Sequence, residues 1–299
     1  MPRDHEQDRF HRALSALDAK TYPRAARGRL HRDDGIAAVL GQIWSGECAA
    51  AARASRWSRR GPSVPPAADA ALGREIRSPL LRSAWWRQED LGAVVTEFGL
   101  EPLSIVGYSW GAMLGLLYAI EQRRNPQLRA LHRMALIDPA PLTREYRRQF
   151  EAEFARRQAS PEIQKLRDEL TASGLRERDP EAYRQRAFEL GVAGYFSDPH
   201  KATDLTPFRV VARVQDSVWE SLGNFNLIRD LEGMRMPSIV IHGRDDPIPL
   251  ASSSEAARAL GTTFVVLDEC GHVPYVEQPA KLFAALDPFL EETNPPVRR

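Results

Sequence analysis

Residues 103–119 read Leu-Ser-Ile-Val-Gly-Tyr-Ser-Trp-Gly-Ala-Met-Leu-Gly-Leu-Leu-Tyr-Ala. The run Leu103 to Val106 is short and apolar and predicts a buried strand. Ala112 to Ala119 is apolar and rich in helix formers, and it predicts a helix. Between them, Gly107-Tyr108-Ser109-Trp110-Gly111 has the pattern G-x-S-x-G. A turn this sharp strains the serine backbone and lifts its hydroxyl above the sheet edge. The flanking glycines leave room where strand and helix come too close for a β-carbon. Ser109 is therefore a candidate nucleophile. A tight turn without chemistry is the plainer reading; the strand before it and the helix after it speak against that.

A hydroxyl is a poor nucleophile until a base removes its proton. Candidates for base and acid follow downstream. Pro237-Ser238-Ile239-Val240-Ile241-His242-Gly243-Arg244-Asp245-Asp246-Pro247 reads as a strand ending in an acidic loop. Thr262-Thr263-Phe264-Val265-Val266-Leu267-Asp268 reads as another strand, followed by Glu269-Cys270-Gly271-His272. Imidazole both takes and returns a proton near neutral pH, so His272 is the candidate general base. The other histidines, His242 among them, have no comparable context. An acid should accept the imidazole Nδ1–H and fix its tautomer. Asp245 and Asp246 compete for that place, with Asp138 at the end of a preceding strand as a third candidate. The backbone N–H of Trp110, directly after the nucleophile, is a candidate oxyanion donor.

The chain order Ser…Asp…His is that of the α/β-hydrolases. The chain resembles that superfamily over about residues 85–291, and most of all its proline iminopeptidase-like branch. The resemblance rests on Gly107 to Gly111, on Gly243-Arg244-Asp245-Asp246, and on Gly271-His272 with Pro274 and Glu277-Gln278-Pro279. It implies an α/β-hydrolase fold, a mostly parallel sheet with flanking helices and an inserted helical lid. The family pattern Gly-x-x-Asp selects Asp246. The implied activity is serine hydrolysis of an ester or amide through an acyl-enzyme, with no cofactor and no metal. The substrate could be the N-terminal residue of a peptide, because Trp219-Glu220 resembles the lid glutamates that hold a substrate α-amino group. Glu220 is thus a candidate substrate-binding residue, although a Trp-Glu pair on a helix is more often packing plus a solvated charge. A cofactor-free perhydrolase is the alternative chemistry on the same scaffold. The second oxyanion donor of relatives comes from the loop after the third strand, and no His-Gly-Gly motif occurs in that part of the chain. A weakly active or non-catalytic hydrolase-like binding protein is therefore the alternative function.

Residues 1–142 and 233–299 read as the two parts of the core, and 143–232 as the lid. Within the lid, helices are expected at 144–157, 161–173, 180–191 and 207–222. The C-terminal part alternates strand 238–242, helix 250–260, strand 263–267 and helix 279–291. Residues 1–75 are atypical. Residues 1–90 hold two valines and three isoleucines against 15 arginines and 17 alanines. Strands buried on both faces favour Val, Ile and Leu, so N-terminal strands are expected to be atypical or missing. A reduced sheet, a shifted reading frame before about residue 75, or strands hidden in an unusual composition would each give this text. The best apolar run, Ile36 to Leu40, reads equally as strand or helix.

The formal net charge is +1 over 299 residues, which makes no general electrostatic case for nucleic acid or membrane partners. Hydrophobic content of 43% and charged content of 27% fit an ordinary soluble globular protein, and the resemblance implies a small-molecule ester, amide or short peptide as its partner. The two cysteines, Cys48 and Cys270, form no disulfide framework. No stretch approaches the roughly 20 apolar residues of a membrane span. The N-terminal residues lack a signal-peptide core, so the cytoplasm is the expected location.

Overall fold

A computed structural model describes residues 37–40, 91, 103–205 and 218–291 of the chain. Strands β1 (Ala37–Leu40), β2 (Leu103–Tyr108), β3 (Leu131–Ile137), β4 (Ser238–Gly243) and β5 (Thr263–Leu267) form one sheet in sequence order. Every neighbouring pair is parallel. Ala37–Leu40 is therefore a strand, paired to β2 from Ala37 opposite Ser104 to Leu40 opposite Gly107. Between Leu40 and Leu103 the described residue is Leu91, which is helical and buried.

Parallel strands need crossovers, and helices supply them. Helix α1 (Trp110–Arg124) follows β2. After β3 come α2 (Arg144–Gln158), α3 (Pro161–Ala172), the short α4 (Leu175–Arg178) and α5 (Pro180–Val192). Two 3₁₀ turns, Ala193–Tyr195 and Pro199–Asp204, end the first part of this helical insertion. Residues 218–222 are helical, and α6 (Leu227–Leu231) leads into β4. Helix α7 (Leu250–Leu260) joins β4 to β5. The chain then forms α8 (Pro274–Glu277) and α9 (Pro279–Glu291). The expected helix 207–222 is described only from residue 218 onward.

Side chains alternate across the strands, and both faces are covered. Ile105, Met134, Leu136 and Val240 pack with α1, α6 and α7. Val106, Ala135, Ile137, Ile239 and Ile241 pack with α9 and with Ile163, Phe196 and Ala202 of the insertion. This two-sided burial explains why the strands read as continuous apolar runs. Helix α1 is buried from Trp110 through Ile120. It begins so close to β2 that a β-carbon on Gly107 would stand 2.5 Å from Ala112 Cα, and only a glycine fits there. At the other end of the sheet, the buried Arg133 Nη1 donates to the carbonyl of Phe289 at 2.6 Å and so caps the end of α9. Among the described residues no helix is long and apolar enough to cross a membrane.

Candidate active site

Because all the strands run the same way, the residues that follow them collect at one rim. Ser109 follows β2, Asp138 follows β3, Asp246 lies in the loop after β4, and His272 lies in the loop after β5. Backbone bonds extend the sheet ladder into this rim. Ser109 N donates to Ile137 O at 2.9 Å, Asp138 N to Ile241 O at 2.8 Å, and Arg244 N to Leu267 O at 2.8 Å. The loops are thus continuations of a rigid sheet. Ser109 has φ 54° and ψ −118°, a conformation non-glycine residues rarely adopt. The crowded elbow and the bond to Ile137 hold it there.

His272 connects the other two groups. Its Nε2 lies 2.9 Å from Ser109 Oγ and its Nδ1 lies 2.7 Å from Asp246 Oδ2. Ser109, Asp246 and His272 are 6%, 7% and 2% exposed, so these bonds form in a largely dry site. Asp246 Oδ1 accepts a second bond, from Ile248 N at 2.7 Å. Burial alone would push the Asp246 carboxyl upward. The His272 and His242 imidazoles beside it and the bonds from His272 and Ile248 outweigh it, and hold Asp246 below the usual carboxylate range. An acid kept ionised at Nδ1 fixes the tautomer in which Nε2 faces the serine hydroxyl. Of the three candidate acids, Asp246 alone makes this bond among the described residues. Asp245 serves the surroundings: its Oδ2 accepts from Ser197 Oγ at 3.0 Å and its carbonyl from Arg157 of α2.

The match to the alpha/beta hydrolase family covers residues 60–286. The chain belongs to this family. No curated protein matches it in sequence. Among solved structures, it is similar to an alpha/beta hydrolase enzyme from a Medee basin deep-sea metagenome library. That likeness covers 90% of this chain and 94% of the other, at TM-score 0.53 and 15% identity. An alpha/beta fold family hydrolase from Bacillus anthracis str. Sterne gives TM-score 0.52 and 16% identity over 71% and 76% of the chains. A proline iminopeptidase of Mycobacterium smegmatis gives TM-score 0.48 and 18% identity over 72% and 73%. Identities this low speak for the fold alone.

In this alpha/beta hydrolase family member the insertion meets the His272 loop through backbone and rings. His272 N donates to Tyr195 O at 2.7 Å. The rings of Tyr108 and Tyr195 lie 5.3 and 5.1 Å from the His272 ring, and Tyr108 OH donates to His272 O at 2.6 Å. A β-carbon on Gly271 would collide with the Tyr195 carbonyl, which accounts for a glycine before the histidine. Glu277 ties the same loop to the insertion. Its Oε2 accepts from Gly271 N at 2.6 Å, and its Oε1 from Ser197 N at 2.9 Å and Asp198 N at 3.3 Å. Burial raises the Glu277 carboxyl to about 6 against the pull of these three bonds.

Trp110 is the first residue of α1, at the helix end that directs backbone N–H groups toward Ser109. Its ring packs edge-on against Trp219 at 5.0 Å, and the Arg147 guanidinium covers Trp219 at 4.5 Å. Glu220, next to Trp219, is exposed. The part of the chain in which no His-Gly-Gly motif occurs lies, apart from Ala37–Leu40, outside the described residues. His242, which the sequence gave no role, is fully buried in the rim, its Nε2 3.7 Å from Asp246 Oδ2. Its position at the end of β4, two side chains along from Val240, was the available signal: a histidine inside an apolar strand must be bonded.

Proposed function

We propose that this protein is a serine hydrolase that cleaves an ester or amide of a small molecule through an acyl-enzyme. The carrying observation is His272 bridging Ser109 Oγ and Asp246 Oδ2 at 2.9 and 2.7 Å. Ser109 Oγ attacks the substrate carbonyl carbon while its proton passes to His272 Nε2. The carbonyl π electrons move onto oxygen, and the Trp110 N–H donates to that oxyanion. Collapse of the tetrahedral intermediate breaks the bond to the leaving group, which takes the proton from His272. Water then repeats the sequence against the acyl-Ser109, and Oγ leaves with its proton restored. Asp246 stays ionised throughout and stabilises the imidazolium.

Residues 143–232 serve as a lid over the core formed by 1–142 and 233–299, and Tyr195 of this lid meets His272. An ester or simple amide is favoured over a peptide amine, because Glu220 is exposed and makes no polar side-chain contact among the described residues that would fix it near the triad. A fluorophosphonate probe tests the reading: it is expected to label Ser109. Ser109→Ala should lose labelling and about four or more orders of magnitude in activated aryl ester turnover. Folded wild-type protein that takes no label is instead the non-catalytic binder.

A further inference from the structure

One buried acid of the rim has no part in that reaction. Asp138 is fully buried and sits at φ 41°, where side-chain-bearing residues seldom sit. Its Oδ1 accepts from Gly243 N at 2.8 Å. Its Oδ2 has no donor among the described residues. A bare carboxylate oxygen in a dry interior is costly, and such groups are normally paired or neutral.

His242 is near enough to be a counter-ion, with Nδ1 3.6 Å from Asp138 Oδ1. Its bonds assign it otherwise. Nε2 lies 3.2 Å from the Ile248 carbonyl, which only accepts, so Nε2 carries the hydrogen. Nδ1 lies 2.9 Å from Ser253 Oγ and accepts from that hydroxyl. His242 is thereby satisfied as a neutral ring, and burial keeps it neutral by lowering its affinity for a second proton.

The other ionisable groups around Asp138 are Asp246, Glu277, Cys270, Tyr108, Tyr275 and His272. Asp138, Asp246 and His272 each place an atom within 4.8 Å of the others. Asp138 and Asp246 stand within side-chain hydrogen-bond reach, and two ionised carboxylates so placed repel and have no hydrogen to share. One proton turns the contact into an O–H···O⁻ bond, which is stronger than a neutral one. The surroundings decide where it resides. Asp246 has an N–H on each oxygen, from Ile248 and His272. Asp138 has one, from Gly243. Burial and then the Asp246 charge push Asp138 far above the carboxylate range, whereas Asp246 is held below it.

We propose that Asp138 is a neutral carboxylic acid that donates its hydroxyl hydrogen to the Asp246 carboxylate. It is a positioning residue: it holds the anion against His272 Nδ1 and tempers its basicity, and it takes no proton from the reaction. The inference rests on the reading of Asp246 as the orienting acid.

Asp138→Asn and Asp138→Leu test it in the full-length protein. The asparagine keeps both bonds, its oxygen accepting from Gly243 and its amide donating to Asp246. It should label with fluorophosphonate within about threefold of the wild-type rate. The leucine removes the donor and should slow labelling about 10–100-fold, the range for one hydrogen bond to a charged group. It should also move the acidic limb of the labelling profile to higher pH, because Asp246 becomes more basic. The infrared difference spectrum of wild type against Asp138→Asn, taken well above the value of about 6 of Glu277, should contain the carbonyl stretch of a protonated carboxylic acid. Absence of that band, or a folded asparagine variant as slow as the leucine one, overturns the proposal. If wild type takes no label at all, the hydrolase reading fails, and the infrared band still decides the protonation of Asp138.

Discussion

Helices α1 and α2 each run for 15 residues, and different forces hold them. Helix α1 has weak local signals: two glycines, no side-chain cap and no acid in its first turn. It forms because eleven successive residues, Trp110 to Ile120, are buried between β2, β3 and α6. Helix α2 has the opposite character. It buries no residue. It has a capping Thr143, an acid in the first turn, Arg156 and Arg157 in the last, and the ion pair Arg147–Glu151 at 2.8 Å. Helices short of such tertiary packing depend on local terms. The elbow at Ser109 is thus set by the most constrained part of the molecule, and the first helix of the insertion is held by terms that change at little cost. Substrate preference can then vary in the insertion without disturbing the rim.

The largest test of this contrast is Gly107→Ala. The added carbon would stand 2.5 Å from Ala112 Cα and 2.6 Å from Ala112 N. Both are backbone atoms, so no side chain can give way. A loss above about 4 kcal/mol, or failure to fold, is expected in urea unfolding. A well-folded alanine variant would mean that the elbow is looser than its packing implies. Next in size is Leu116→Ala, a fully buried position on the core face of α1. Its expected cost is about 2–5 kcal/mol. A loss below about 1 kcal/mol would show that α1 rests on something other than burial.

Glu277 joins the two regions, and its effect depends on pH. Burial raises its carboxyl from 4.5 to about 6, so the folded protein binds this proton more tightly than the unfolded chain does. The resulting stabilisation is complete below pH 4.5 and is lost as pH climbs through about 6. A shift of this size corresponds to about 2 kcal/mol. Glu277→Gln removes the titration. Subtracting its stability from that of wild type at each pH should therefore leave a fall of about 2 kcal/mol between these limits. A flat difference would show that Glu277 does not titrate there. The variant should also weaken the joint between the His272 loop and residues 197–198, because an amide cannot accept on both sides.

The sequence conveys the first half of this comparison better than the second. Strands β2 and β4 announce themselves because burial on both faces favours apolar residues, as in Ile239 to Ile241. Ser109, Asp246 and His272 are legible because each follows a strand in a parallel sheet, and the topology alone brings them to one rim. The insertion helices are legible as helices, their starts fixed by Thr143, Ser160 and Asp179. How they meet the core is not. Part of the contact passes through the Tyr195 carbonyl and the Ser197 and Asp198 N–H groups, and backbone groups have no residue-specific signature. Ala37–Leu40 is ambiguous for another reason: so short an apolar run shows no period, and alanine is a strong helix former. Asp138 is visible as a candidate acid, but the part proposed for it depends on a carboxyl contact that only three dimensions reveal.

The smallest effect is expected at Thr143, where the insertion begins. Thr143 Oγ1 accepts from Tyr146 N at 3.0 Å, and Thr143 also forms a backbone bridge to Asn226. Thr143→Ala deletes the side-chain bond and leaves the bridge. Removing such a cap costs about 1 kcal/mol, and Thr143→Ser should restore most of it. The kinetic consequence is more diagnostic than the stability. Among the described residues helix α2 is hydrogen-bonded to the acid loop through Arg157 and the Asp245 carbonyl, whereas Asp246 is fixed by Ile248 and His272. Fraying α2 should therefore raise KM for an aryl ester several times more than it lowers kcat. An equal fall in kcat would mean that the insertion holds the triad itself, and the division between a fixed rim and a replaceable cover would have to be abandoned.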